Sequence, residues 1–277
     1  MTSTTQMFRF DPVYLENLAD KYREQYINAQ PFPHIVIDDF LPEYVLNDVL
    51  KEFPKPGEIK WQDFENKSEK KLASTSELQM GDATRFLLYQ FNSSTFMSFL
   101  EKITGINGLI PDPHFVGGGL HQIERGGYLK MHVDFNRHTR LKLDRRLNLL
   151  LYLNKDWKEE YGGHIQLWDK DMTRCEKKIL PIFNRCVIFS TTDFSYHGHP
   201  DPLTCPEGWT RKSLALYYYS NGRPAEEIAH ADHSTIFKPR NGEEIQEEET
   251  SPMTFKTVLK KLIPPILIDL GNSLKKK

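Results

Sequence analysis

The sequence predicts a mainly β fold with N-terminal helices, an α+β chain built on a jelly roll. Three observations predict it: short β-type runs from about residue 115 to 222, helical patterns ahead of them, and no helical pattern among them. The candidate strands are Gly119–Ile123, Leu129–Asp134, Leu147–Leu153, His164–Trp168, Ile179–Pro181, Cys186–Ser190 and Ser213–Ser220, separated by glycine, proline or polar turn residues.

From the N-terminus, Asp11 suits a helix N-cap and Pro12 a first turn, where its missing N–H costs nothing. Tyr14, Leu15, Leu18, Ala19 and Tyr22 then follow a helical stripe, which Pro31 and Pro33 end. His34–Phe40 reads as a strand, Glu43 opens a second helix, and Ser93–Ile103 shows an apolar helical face. Residues 55–80 are polar and lysine-rich and take no assignment. The implied division is 1–114 as helical support with a few strands, 115–222 as the core, 223–252 as an acidic loop or linker, and 253–277 as an amphipathic helical tail. In that tail Phe255, Val258, Leu259, Leu262, Ile263, Ile266, Leu267 and Leu270 fall at helical spacing among lysines, and Pro264-Pro265 must kink it. The tail is read as packing on the domain, with contact to a membrane surface as the less favoured reading.

Composition excludes several classes. The chain has 277 residues, 39% hydrophobic and 27% charged, with a net charge of -2, so no global field favours nucleic acid. The 3 cysteines form no C-x-x-C pair, and Met1–Phe10 lacks a basic-then-apolar signal. No apolar run reaches the ~18–20 residues of a membrane span. The expectation is a soluble protein of a reducing, cytoplasmic compartment.

The sharpest chemical signal is Lys130-Met131-His132-Val133-Asp134. Alternate strand residues share a face, so His132 and Asp134 project together and can hold adjacent positions on a metal. The third donor should be a neutral nitrogen, and Phe194-Ser195-Tyr196-His197-Gly198-His199-Pro200 offers His197 and His199. Two His and one carboxylate make the facial triad of non-haem Fe(II) oxygenases, which leaves coordination positions open. A structural zinc site would close all four, and no H-E-x-x-H helix of a zinc hydrolase occurs. Downstream, Arg211 and Ser213 share a strand face; a guanidinium fork suits the distal carboxylate of a dicarboxylate cosubstrate. Asn148, Leu150 and Tyr152 share another face, where Tyr152 can offer its hydroxyl to the same carboxylate. Lys212 would point the opposite way, towards solvent.

The ordered set His132-x-Asp134, Leu150-Leu151-Tyr152-Leu153-Asn154-Lys155-Asp156-Trp157, Gly162-Gly163, His197 and Arg211-x-Ser213 resembles the prolyl 4-hydroxylase-like 2-oxoglutarate/Fe(II)-dependent oxygenases. The resemblance covers roughly 115–222 and implies a double-stranded β-helix, the cupin-like jelly roll. It implies His132, Asp134 and His197 as iron ligands, and Arg211 and Tyr152 as cosubstrate contacts, with Ser213 and Asn148 beside them. It implies Fe(II), 2-oxoglutarate and O2, with ascorbate as a further reductant, and hydroxylation of an unactivated C–H bond with release of succinate and CO2. A carboxylate ligand at Asp134 leaves no ligand vacancy for halide, which favours hydroxylation over halogenation. The implied substrate is prolyl or peptidyl. The alternatives are a small molecule, a glycan precursor, or a non-catalytic cupin- or lectin-like metal-binding module.

Two features depart from the pattern. The stretch from His197 to Arg211 is long, and His199 competes with His197 for the third ligand position. His138, His230 and His233 fall outside the pattern and read as surface residues; the basic pair Arg145-Arg146 reads as exposed, with contact to an acidic or peptidic substrate as the less favoured reading. Trp157, Trp168 and Tyr128 read equally as core or as the lining of a mouth.

Overall fold

The computed structural model describes residues 8–240 and Glu243. The chain divides into a unit ending at Glu243 and a second unit, Glu244–Lys277, so the predicted helical tail lies outside the described residues.

Helix α1 (Pro12–Ile27) begins as the sequence requires, with the Asp11 carboxylate accepting from the backbone N–H groups of Val13 and Tyr14. Strand β1 (His34–Ile37) and helix α2 (Glu43–Glu52) follow. The unassigned lysine-rich stretch folds into an antiparallel hairpin, β2 (Gln62–Glu65) and β3 (Glu69–Ser74). Helix α3 (Asp82–Phe91), which the sequence reading missed, precedes α4 (Ser94–Thr104). Ser93 caps α4 and Gly105 ends it in the left-handed conformation.

The β-rich part runs β4 (Ile110–Pro111), β5 (Gly119–Glu124), β6 (Tyr128–Val133), β7 (Asp144–Tyr152), β8 (Ile165–Trp168), β9 (Cys175–Ile179), β10 (Cys186–Ser190), β11 (His197–His199), β12 (Thr210–Ser220) and β13 (Ile236–Phe237). The strand expected at Ile179–Pro181 lies earlier, because Cys175–Ile179 pairs with β8 and Pro181 has no N–H for a ladder. All pairings are antiparallel, in the order β1-β10-β7-β12-β5-β3-β6-β11-β8-β9, with β2, β4 and β13 attached beside this path. The sheet curls on itself as a jelly-roll core, bringing β6 and β11 opposite β7 and β12.

Alternation along β7 sorts its residues. Leu147, Leu149 and Leu151 join Leu214, Leu216 and Tyr218 of β12 in the main core, with Leu15, Leu46, Phe91, Phe96 and Leu100 from the helices. The opposite faces, with Asn148, Leu150, Ser213 and Tyr217, turn inward and line a cavity. The segment expected as an acidic loop or linker carries one short strand among its described residues. β13 pairs with β6, and Arg240 bonds Asp201 and Glu243, so this strap is tied across the edge of β6.

Candidate metal and cosubstrate site

His132 lies in β6, Asp134 just beyond it, and His197 in β11 directly opposite His132 in the ladder. One ligand atom from each lies within 4.8 Å of the others, and no other such group of His, Cys, Asp and Glu occurs among the described residues. His132 Nε2 is 3.6 Å from Asp134 Oδ1, and His197 Nε2 is 3.3 Å from Asp134 Oδ2. The opposite ring nitrogens are committed: His132 Nδ1 is 2.8 Å from the Lys130 carbonyl and His197 Nδ1 is 2.9 Å from the Ser195 carbonyl. A carbonyl only accepts, so each Nδ1 carries a proton, and each Nε2 is the ring atom turned to the common centre. Burial, then the neighbouring His197, pushes the His132 imidazole below its usual pKa and keeps it neutral, as a ligand must be.

Asp134 has its own supports. Asn148 Nδ2 donates to Asp134 Oδ2 at 2.7 Å, and Arg145 approaches the same oxygen at 3.2 Å. Arg145 donates twice to Asn148 Oδ1, at 3.0 and 2.6 Å, and its guanidinium lies over the Tyr217 ring at 3.4 Å. Burial alone would raise the Asp134 pKa; Arg145 foremost, then the imidazoles, hold it well below the carboxylate range. Asn148, grouped by sequence with the cosubstrate contacts, therefore commits its amide to the carboxylate of the metal cluster.

The surface reading of Arg145 and Arg146 is corrected: both are buried. Arg146 bonds Ser220 and Glu227, each at 3.1 Å. A register shift between Tyr218 and Tyr219, where β12 pairs β7, sets Arg145 opposite Tyr219; strand alternation alone could not place it beside Asn148. His138 is likewise buried rather than exposed. Its Nδ1 accepts from the N–H groups of Arg140 and Leu141, and its Nε2 is 3.2 Å from Asp112. His230 is exposed as expected, whereas His233 is half-buried with Nε2 2.9 Å from Asp193. Trp157 belongs to a core cluster with Ile123, Leu203 and Cys205. Trp168 and Tyr128 are half-buried, the first donating to Gln166 and the second to the Asn66 carbonyl.

Arg211 lines the same cavity from β12. Its Nε donates to the Gly163 carbonyl at 2.9 Å and its Nη2 to the Tyr152 hydroxyl at 3.2 Å. Gly163 has φ +73°, and a Cβ there would lie 2.7 Å from Leu203 and 2.9 Å from Arg211, so only glycine lets the loop hold the guanidinium. Burial lowers the Arg211 pKa and Tyr152 opposes that shift; arginine nonetheless stays charged. Ser213 is buried two residues along, paired with Tyr152 in the ladder. Lys212 turns away, as alternation requires, but is only half-exposed and donates to Thr210.

The structure separates the two candidate third ligands. His197 joins the cluster; His199 does not. A bulge between them pairs His199 with Leu129, and Gly198 packs so closely that a Cβ would lie 2.7 Å from the Lys130 carbonyl oxygen. Burial holds the His199 imidazole neutral, and both its ring nitrogens are buried without a hydrogen-bond partner among the described residues. An unsatisfied buried polar group costs about 1–3 kcal/mol. Lys71 of β3 and His121 of β5 also line this cavity, and neither was marked as a site residue from sequence.

Residues 118–219 match the family model of the 2OG-Fe(II) oxygenase superfamily. The chain is 26% identical over 205 residues to the prolyl 3-hydroxylase OGFOD1 of Mus musculus, which covers 70% of this chain and 34% of that protein. It thus spans about a third of the length of that curated relative. Among solved structures, it resembles a prolyl hydroxylase of Trichoplax adhaerens in complex with a hypoxia inducible factor oxygen degradation domain peptide fragment, at TM-score 0.52 and 19% identity, covering 75% of this chain and 91% of that one. It also resembles a Pseudomonas putida prolyl-4-hydroxylase at TM-score 0.51 and 15% identity, covering 75% of this chain and all of that one (100%). The segment matched to the 2OG-Fe(II) oxygenase model, residues 118–219, contains His132, Asp134 and His197 of the cluster together with Arg211.

Proposed function

We propose that the chain hydroxylates an unactivated C–H bond of a prolyl or other peptidyl substrate, using Fe(II) held by His132, Asp134 and His197 and 2-oxoglutarate anchored by Arg211. The observation that carries this reading is the joint geometry: two imidazoles and one carboxylate share a centre, and a buried guanidinium lines the same cavity. The donor set fits ferrous iron, since two nitrogens and one carboxylate leave coordination positions for other ligands. When bound, iron with 2-oxoglutarate and O2 supplies the oxidising chemistry: one oxygen atom enters the C–H bond, the other enters succinate, and CO2 leaves.

The chain's own residues do the positioning. The Lys130 and Ser195 carbonyls fix the imidazole tautomers, Asn148 and Arg145 fix the carboxylate, and Gly163 and Tyr152 orient Arg211. Ser213 stands beside Arg211 as a further hydroxyl donor. Ascorbate would serve only to return oxidised iron to the ferrous state. The peptidyl substrate rests on the mouse relative, named a prolyl 3-hydroxylase, and a small molecule is the alternative. A cytoplasmic setting fits Cys175, Cys186 and Cys205, all free thiols; no described helix is long and apolar enough to cross a membrane. Contact between residues 253–277 and a membrane surface stays the less favoured reading of that segment.

The test is a screen of peptides and small molecules with Fe(II), 2-oxoglutarate and O2, reading succinate and product mass together. A product heavier by one oxygen atom, formed one-for-one with succinate, is expected. Substrate-independent failure to make succinate, with iron bound, would reject the reading.

A further inference from the structure

His199 is a cavity residue that the assigned chemistry leaves unused. It is not in the metal cluster, yet it faces the cavity that contains Arg211. It is 4% exposed, and neither ring nitrogen has a partner among the described residues. The other cavity histidines differ: His132 and His197 bond backbone carbonyls through Nδ1, and His121 Nε2 is 3.0 Å from the Gly117 carbonyl. An imidazole carries at least one N–H donor in either protonation state, so His199 holds a donor that no group among the described residues satisfies.

The charges around the cavity decide what that donor meets. Arg211 and Lys71 both line it, and Lys71 is paired with Glu69 at 2.8 Å. Asp134, the acid among the lining residues, is occupied by Arg145 and Asn148. A cavity with an arginine, a lysine and an unused N–H suits an anion with several acceptor oxygens. Backbone placement supports this. His199 lines the cavity from β11, the strand that also presents His197.

We propose that His199 donates a hydrogen bond to a carboxylate of the bound 2-oxo dicarboxylate, and so acts with Arg211 as a cosubstrate-binding residue. This rests on the reading of the site given above. It predicts that His199 contributes to cosubstrate affinity and not to metal affinity.

The experiment uses the full chain loaded with Zn(II), which permits binding without turnover. Calorimetry measures Zn(II) and 2-oxoglutarate affinity for the native chain and for His199→Leu, His199→Gln and Arg211→Ala. His199→Leu should weaken 2-oxoglutarate binding roughly ten- to hundredfold, as expected for a hydrogen bond to a charged group. Its Zn(II) affinity should be unchanged, and His199→Gln, which keeps an N–H donor, should recover most of the loss. Unchanged 2-oxoglutarate affinity in His199→Leu would overturn the proposal, as would loss of Zn(II) from that variant. If Arg211→Ala weakens binding while His199→Leu does not, only the role of His199 falls. If the native chain binds no 2-oxoglutarate, the reading of the whole site falls with it. Should the leucine variant not fold, nitrogen NMR of the native Zn(II)-loaded chain decides: 2-oxoglutarate must shift a His199 ring nitrogen, and an unmoved signal refutes the contact.

Discussion

At one end of the cavity the side chains are fixed by protein partners: two carbonyls hold the imidazoles, and Asn148 and Arg145 hold Asp134. At the other end Arg211 is oriented by Gly163 and Tyr152, while His199 lacks any partner among the described residues. The contrast is physical. A metal site needs ligands at set positions before the ion arrives, and support from a second layer of contacts provides that. A site for a flexible diacid needs donors that the ligand itself will satisfy. Damage at the first end should therefore remove iron and everything that depends on it, and damage at the second should raise only the cosubstrate requirement.

The largest effect should come from Asp134→Ala. It leaves two imidazoles without a carboxylate and should abolish both stoichiometric iron binding, read by metal analysis after desalting, and turnover. A variant with full hydroxylation would break the distinction at its root. Arg211→Ala should come next. A buried charge left without its partner costs about 3–5 kcal/mol, a hundredfold or more in 2-oxoglutarate requirement. Iron content should stay at the native level; loss of iron would mean that the two ends are not separable.

Arg145→Leu should weaken iron binding by about tenfold, within the range for contacts that support a ligand. Arg145 is the foremost group holding the Asp134 pKa down, so its removal raises that pKa. Protonation then competes with iron at higher pH, and the acid limb of iron loading should move upward. Iron loading with a native pH profile would reduce Arg145 to a packing residue.

The smallest effect concerns the strap. Burial would raise the Glu243 pKa from its usual 4.5, but Arg240 and Lys130 hold it at about 2. Because the folded value is depressed, the stabilisation is complete above about 4.5 and is lost as pH falls through about 2. The Lys238 amide, bonded to the Met131 carbonyl, should lose hydrogen-exchange protection over that window ahead of the core strands. Simultaneous loss across β6 and β13 would show that the strap has no independent stability.

The sequence disclosed the site unevenly, for identifiable reasons. The two-residue spacing of His132 and Asp134 fixes their common face by strand geometry, so they were legible. Tyr152 and Arg211 were legible through alternation, and their mutual bond follows from neighbouring strands. Spacing alone put His197 and His199 on one face, and the resemblance favoured His197; the ladder sets His197 opposite His132, and a bulge follows it. Arg145 was hidden by the register shift in β12 pairing. Lys71 was hidden because β2 is mostly exposed and β3 is polar but for Leu72 and Ala73, so the hairpin carries no alternating apolar signal. His138 sits in a polar stretch, and its burial depends on Asp112, which is distant in sequence.

The most direct measurement is an anaerobic titration of the full chain, first with Fe(II) and then with 2-oxoglutarate, followed by metal analysis and by the charge-transfer absorption that a 2-oxo acid produces when it chelates ferrous iron. One iron per chain is expected, followed by saturable 2-oxoglutarate binding that vanishes in Asp134→Ala and weakens at least a hundredfold in Arg211→Ala. Iron bound with native affinity after loss of Asp134, or 2-oxoglutarate bound with native affinity after loss of Arg211, would contradict the account.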